Sequence, residues 1–560
     1  MNTTKTFHSI HHEPFSSIVN RMNILVFNPY GHLQHNFHEN ILGKKFENHR
    51  HNVSYIRCGG FLSECDLRKN CGRCKVQKCA SEAWFSIKHE VLDHYLTKNE
   101  LPNLEEIQTT FNKEDFKSYT YMGQNIHNTV ESSLFTMLRM TSVNFENTTV
   151  MNVYKKTFVS GIMLYNAINN LINAKKPDLI ISFNGRMYPF HAMLAIAKDR
   201  NIPIYTLEQG FEKNTTTVNI NHKVHDYQFL QSEYQRYKDQ PISKEQWMRI
   251  TELFHNMELG KKRTVSNHHK SKAYNFKRKY FLQKKVAHRK MVAVLTSSED
   301  EHANMPEYQH IFRNPTTWLD RTIEYFSQHP DLLGVIRLHP NSANDRGAES
   351  EVVQFIQKWK TKGLPSNVEL ITPQEPVNTY MLLELADCAL TAGSTITLEM
   401  IFKNKPVLLV RKVAYYGLPF IQSLDHPDHF EDMMNKLVDS NVTIEQKKNF
   451  YRFMTQYLSV YSIPFRLNHI YGKMVPFLPS DHMEAINTDQ DTEHMFEQMQ
   501  AFKIPTHISM SPSYSFFGSQ EAETSFLNEE FAAHKKSGLG KNIVLVAQNP
   551  KHAQDIKKKI

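Results

Sequence analysis

No stretch of these 560 residues stays apolar for the roughly 20 residues that a bilayer-spanning helix needs. Residues 1–21 also lack the continuous apolar segment of a secretory signal, so they are expected to be a disordered leader on a chain that is neither exported nor membrane-spanning. Glycine, at 19 residues, is too scarce for a collagen-like or Gly-rich low-complexity chain. No internal repeat is evident, which argues against a solenoid. Cysteine is limited to six residues, and five of them (58, 65, 71, 74 and 79) crowd one segment instead of spacing out as a disulfide framework would. A reducing, cytoplasmic setting is expected.

With 40% hydrophobic and 22% charged residues, the chain can fill hydrophobic cores, and at this length two packed domains with appendages are expected. The formal net charge of +9 suggests an anionic partner: a nucleotide, a phospholipid surface or nucleic acid.

Residues 22–28 read as a strand closed by Pro29-Tyr30-Gly31, a helix follows from about His35 to Phe46, and Val53–Arg57 reads as a second strand. After a mostly helical stretch over 84–170, strand and helix alternate again at 178–183, 189–200 and 204–207. Repeated βαβ units imply a parallel sheet covered on both faces, here an N-terminal domain over 22–260 with a Cys-rich insertion. Residues 261–290 hold twelve Lys or Arg and no Asp or Glu, which marks a basic linker. A second alternating domain is expected over 291–475, with strands at 291–296, 333–338, 388–391 and 407–410, and an irregular tail over 476–560 that carries one strand-like run at 541–547. The fold class is therefore α/β, two Rossmann-like domains facing a cleft, and ligands of such sheets bind outside the carboxyl ends of the strands.

Polar segments end several of these strands. Gly393-Ser394-Thr395 precedes a helix whose free N–H groups, with the two hydroxyls, suit a phosphate, and Glu399 could accept hydrogen bonds from a ribose; equally, Ser394 could simply cap the helix. Arg337 and His339 flank Leu338, so strand alternation directs both to one side, where a guanidinium and an imidazole could grip a diphosphate. Asn184-Gly185-Arg186, Glu208-Gln209-Gly210 and Thr296 to Glu301, with Ser297 and Ser298, end other strands. His32, His35, His38 and Glu39 crowd the first turn and helix but lack His-Glu-x-x-His spacing, so lining the cleft or capping the helix is favoured over binding a metal. Cys65, Cys71, Cys74 and Cys79 could close a thiolate site for structural zinc or an iron–sulfur cluster, or remain free thiols. The basic run interleaves Tyr274, Phe276, Tyr280 and Phe281, as a nucleic-acid surface, a membrane-facing segment or a solvated linker would.

Taken in order, Phe27-Asn-Pro-Tyr-Gly-His32, Phe183-Asn-Gly-Arg186, Leu207-Glu-Gln-Gly210, Thr296-Ser-Ser-Glu-Asp-Glu301, Arg337-Leu-His-Pro340 and Ala392-Gly-Ser-Thr395 through Glu399 to Pro406 resemble the capsular polysaccharide biosynthesis proteins with GT-B-type folds. They are more distantly similar to bacterial sialyltransferases, Kdo transferases and teichoic-acid polymerases that share a His-Pro motif. The resemblance implies a glycosyltransferase moving a sugar from a nucleotide-sugar donor to a growing surface polysaccharide or lipid-linked acceptor, with inversion and without a metal cofactor. It implies that His339 meets the donor phosphates together with Ser394 and Thr395, and that an acidic residue before a glycine, here Glu208, is the base. Those sialyltransferases carry two consecutive acids at this point, where this chain has Gln209 second, so Glu39 and His32 stand in reserve. His32, Asn184 and Arg186 are expected on the acceptor side. Peripheral contact with the inner membrane face fits this reading, and a nucleic-acid partner does not. The alternatives are a nucleotide-sugar 2-epimerase and a non-catalytic assembly protein.

Overall fold

In the computed structural model, which describes residues 21–30, 33–258, 277–312, 316–343, 351–467, 479–507, 510 and 519–537, the apolar runs become the strands of two separate sheets. The first sheet uses β1 (Asn23–Phe27), β2 (Asn52–Arg57), β3 (His89–Val91), β4 (Leu179–Phe183), β5 (Ile204–Gln209) and β6 (Thr215–Ile220). The second uses β7 (Lys290–Leu295), β8 (Leu332–Arg337), β9 (Val368–Ile371), β10 (Cys388–Thr391), β11 (Val407–Leu409) and β12 (Gln422–Ser423). A short β13 (Ile463–Pro464) returns to the first sheet.

The second sheet is parallel throughout, in the order β9-β8-β7-β10-β11-β12, so the strand order reverses between β7 and β10. The first runs β13-β6-β5-β4-β1-β2-β3, parallel from β3 to β5, and reverses between β1 and β4. Such reversals open crevices at the carboxyl ends of the strands, where nucleotides bind in doubly wound sheets. Leu179–Phe183 and Leu332–Arg337 are buried along their whole length, because helices cover both faces.

The helices Ile126–Leu138, Thr148–Lys175 and Tyr188–Asp199 pack on one face of the first sheet, with Tyr154, Phe158, Tyr165 and Tyr188 at the centre of that core. Leu33–Asn48 covers the opposite face. The helix Ile444–Tyr461 leaves the second domain, and its last turn hands the chain to β13, which pairs antiparallel with β6. A capping box between Thr443 and Gln446 starts this helix by satisfying otherwise orphaned N–H groups. One chain therefore crosses between the domains twice.

Two expectations change here. The basic run is not a solvated linker over its described part: Arg278–Val286 is a helix docked on the second domain, with Phe281 buried in its core. Its charges meet carboxylates, Arg278 to Glu384 at 2.7 Å, Lys284 to Glu369 at 3.0 Å and Lys285 to Asp387 at 2.8 Å. The tail, in turn, carries the helices Pro479–Thr488, Gln490–Gln500 and Gln520–Ser537. Met495, Phe496 and Met499 pack into the core beside Leu33–Asn48, Lys45 pairs with Glu493 at 2.6 Å, and the buried Glu523 meets the buried guanidinium of Arg452. Asp489-Gln490-Asp491 is spent on structure: Asp489 caps a helix and Asp491 accepts from Arg466. The leader up to residue 20, the first part of the basic run and residues 541–547 lie outside the described residues. Among the described residues no helix is long and apolar enough to cross a membrane.

Candidate functional site

Between the domains lies a cavity of about 540 Å³. From the first domain, Glu208, Gln209 and Gly210 at the end of β5 reach it, with His225 from the loop after β6. From the second come Gly393 and Thr395 after β10, Asn341 beyond β8, and His302 and Tyr308. Tyr457 and Tyr461, on the last turns of Ile444–Tyr461, close one wall. Three of the polar segments that end predicted strands therefore converge on one space.

Gly393 adopts φ +84, a left-handed conformation, and a Cβ there would stand 2.4 Å from Val413 Cγ1, so the turn needs a glycine. Gly393 and Thr395 of this turn line the cavity, and the turn leads into Ile396–Phe402. The carbonyl of Ser394 accepts from the Tyr415 hydroxyl at 2.9 Å and from Thr397 N–H at 2.9 Å.

His339 does not itself line the cavity, but it bonds Asn341, which does, and it is held firmly. Its N–H donates to Thr296 Oγ1 at 2.7 Å, and its Nδ1 accepts from Asn341 N–H at 3.2 Å, with Ser298 Oγ also at 3.2 Å. An imidazole whose Nδ1 accepts a backbone N–H carries its proton on Nε2 when neutral, leaving that edge as the donor. Ser297 donates to the Ala392 carbonyl at 3.1 Å, which ties the β7 and β10 ends together.

Glu208 Oε2 stands 3.5 Å from His225 Nε2. Burial, with Arg186 and Lys223 adding like charge, pushes His225 down to about 3. His302 lies well below the ordinary histidine range for the same first reason, with His225 and Arg186 adding to it. The His225 and His302 rings meet edge to face at 4.8 Å, and His302 stacks on Tyr308 at 4.5 Å. Neutral rings thus line the cleft around the carboxylate.

The domains are clasped beside the cleft. Arg139 Nη1, from the first domain, lies 2.7 Å from Asp300 Oδ2 of the second, and Thr141 Oγ1 donates to Glu351 Oε2 at 2.7 Å. Glu299 faces His310 at 3.0 Å in the interior. The Thr296 to Glu301 segment is thereby divided between supporting His339 and joining the domains.

Other expected site residues stand elsewhere. Arg337 is buried and donates to the Thr372 carbonyl, on the β9 side and away from the cavity's walls, so it does not share a grip with His339. Strand alternation misleads because β8 ends at Arg337 and the chain turns before His339. Asn184 is buried, and its Oδ1 accepts from Arg186 N–H at 2.9 Å and Met187 N–H at 3.4 Å, so its side chain shapes the turn after β4. Arg186 donates to Ser132 Oγ and Thr136 Oγ1 at 3.1 and 2.9 Å. Glu399 is buried one turn along its helix, outside the cavity lining. Glu39 is fully buried; neither carboxylate oxygen has a hydrogen-bond partner, and burial, with the Glu208 charge adding, holds its carboxyl well above the usual range. It does not line the cleft. His38 is buried too, and His32 lies outside the described residues.

Among the described residues, no three His, Cys, Asp or Glu side chains gather so as to hold one metal ion. Cys58, Cys65, Cys71, Cys74 and Cys79 form no disulfides.

His225, His302, Tyr308, Tyr457 and Tyr461 were not expected in the site. The tyrosines at 457 and 461 are four apart, one face of a helix, but only the chain's return to the first sheet brings that face to the cleft.

No protein-family model and no curated protein matches the chain. Among solved structures it is similar to the KpsC β-Kdo 2,7-transferase of Thermosulfurimonas dismutans, at 12% identity over 53% of this chain and 80% of that one, with a TM-score of 0.31. The UDP-GlcNAc 2-epimerase of Neisseria meningitidis bound to UDP-GlcNAc aligns at 13% identity over 80% and 98%, with a TM-score of 0.26. The glycosyltransferase SnogD of Streptomyces nogalater aligns at 11% over 81% and 100%, with a TM-score of 0.25. Likeness at this level bears on neither activity nor substrate.

Proposed function

We propose that the chain is a glycosyltransferase that moves a sugar from a nucleotide-activated donor to a surface or capsular polysaccharide acceptor, by direct displacement at the anomeric carbon with inversion. One observation carries this reading: Glu208 from the first domain and the Gly393–Thr395 turn from the second line the same cavity. The donor's diphosphate would lie at the turn, with His339 Nε2–H donating to the leaving oxygen as negative charge develops. Glu208 would take the proton of the acceptor hydroxyl that attacks from the opposite side. Neutral His225 keeps no competing positive charge on Glu208, and the tyrosines at 457 and 461 offer apolar faces and hydroxyls of the kind that sugars pack against. The groups assigned to the leaving phosphate are N–H donors, and this reading routes no step through a metal.

The test is to incubate the purified chain with UDP-, GDP-, CDP- and CMP-sugars, with and without oligosaccharide acceptors, and to follow both released nucleotide and the sugar's configuration. Nucleotide release that requires acceptor supports transfer. Interconversion of the donor sugar without acceptor would make the chain an epimerase, and silence with every donor, together with no thermal stabilisation by any of them, would leave it a non-catalytic protein.

A further inference from the structure

A second cavity, of about 470 Å³, opens at the carboxyl ends of β1 and β2, and all five clustered cysteines line it. Cys58 and Cys65 stand on the loop after β2, half buried; Cys71 and Cys74 occupy the first turn of Cys71–Phe85, three residues apart and so on one helix face. These side chains share one lining, so the loop and the helix bring their thiols to the same space. A Cβ built on Gly60 would lie 3.9 Å from Cys71 Sγ, and Gly60 N–H itself donates to Cys58 Sγ at 3.2 Å. Lys69 N–H donates to Cys65 Sγ, also at 3.2 Å. Backbone N–H groups aimed at sulfur favour thiolate over thiol, and such hydrogen bonds tune cluster sulfurs.

The cavity separates the possible occupants. Zinc draws four sulfurs to about 2.3 Å and leaves no space between them. Here the cysteines share the lining of one open volume, and among the described residues no three close on one point. A polynuclear occupant fits a ring of separated thiols. It would be anionic once ligated, and Lys69, Lys75 and Lys78 line the same cavity with compensating charge.

We infer that Cys58, Cys65, Cys71 and Cys74 ligate a [4Fe–4S] cluster, with Cys79 a bystander on the rim. The core brings two ferric and two ferrous ions with four sulfides, so ligation replaces four S–H bonds by four Fe–S bonds and releases four protons, with no redox step. The cluster would fasten the loop after β2 to the following helix, beside but separate from the inter-domain cavity. This differs from the set of 65, 71, 74 and 79 suggested by spacing in taking Cys58, whose sulfur accepts a backbone N–H as that of Cys65 does, in place of the exposed Cys79.

The full chain, expressed with ample iron, purified without oxygen and supplied with ferrous and ferric iron and sulfide, tests this. The expected result is a brown protein with about four irons and four sulfides per chain and a broad visible absorbance that dithionite bleaches. C79S should keep the iron, and the single variants C58S and C74S should each lose most of it while circular dichroism shows a folded chain. A folded, colourless wild-type chain with six titratable thiols, or one holding a single zinc, overturns the proposal; iron retained in C58S and lost in C79S overturns the ligand set. None of these readouts depends on glycosyl transfer.

Discussion

Glu208→Gln tests the proposed base while keeping the size and shape of the side chain. The side chain is about a quarter exposed, and His225 Nε2 lies 3.5 Å from its Oε2, too far for a strong hydrogen bond. His225 is neutral, so that contact is no salt bridge for Gln to break. The amide has the same shape, and the fold should tolerate it within about 0.5 kcal/mol. Removing a general base costs about 10²–10⁴ in rate, or about 2.7–5.4 kcal/mol at ~1.36 kcal/mol per decade. The turn assigned to the donor phosphates, Gly393 to Thr395, is on the other domain, so donor affinity should stay within a few-fold. Calorimetry with the donor and single-turnover transfer with acceptor measure the two quantities separately, and the acid limb of the pH–rate profile should vanish in the variant. Collapse of donor binding in a folded variant would make Glu208 a donor ligand; unchanged transfer would remove it from the chemistry.

Three further outcomes follow from particular contacts. His339→Ala should lower transfer by about 100-fold or more while folding is retained, since it removes the Nε2–H donor beside the leaving phosphate; near-normal turnover would dismiss that role. Glu39→Gln should resemble the parent near pH 4.5 and become progressively more stable than it at higher pH. The folded pKa of Glu39 is raised, so its stabilising contribution is present below the unfolded value and is lost as pH rises toward the folded one, by ~1.36 kcal/mol per unit at most. Thermal melts from pH 4 to 8 check this, and a gap that narrows with rising pH would contradict it. Glu523→Ala strands the buried Arg452 guanidinium and should cost about 3–5 kcal/mol in urea unfolding; a loss below about 1 kcal/mol would mean that the C-terminal helix docks without that pair.

Legibility of the sequence tracked the range of the interactions involved. Strands such as Leu179–Phe183 and Lys290–Leu295 are covered on both faces by helices from their own βα units, so burial wrote itself locally as apolar runs. Thr215–Ile220 carries three consecutive threonines and gave no such run. It is buried because Ile444–Tyr461 and β13, more than two hundred residues later, lie against it. The tail helices were missed for a related reason: their apolar residues are few and serve cores built by other segments, as Met495 and Phe496 do beside Phe46.

The site divides along the same line. Glu208, His339 and Gly393 could be found because a polar residue at the carboxyl end of a parallel strand is conspicuous and its position is set within a few residues of chain. Whether such a residue faces the cleft depends on what the turn after the strand demands. Asn184 and Arg337 end strands just as conspicuously, yet one amide is consumed in shaping its turn and one guanidinium reaches back to the neighbouring strand's loop. His225 and Tyr461 show the converse: neither ends a strand of a βα unit, and each reaches the cavity through pairing of the antiparallel edge strands. Strand-end chemistry therefore nominates residues, and the hydrogen bonds of the following turn decide which of them remain available to a substrate.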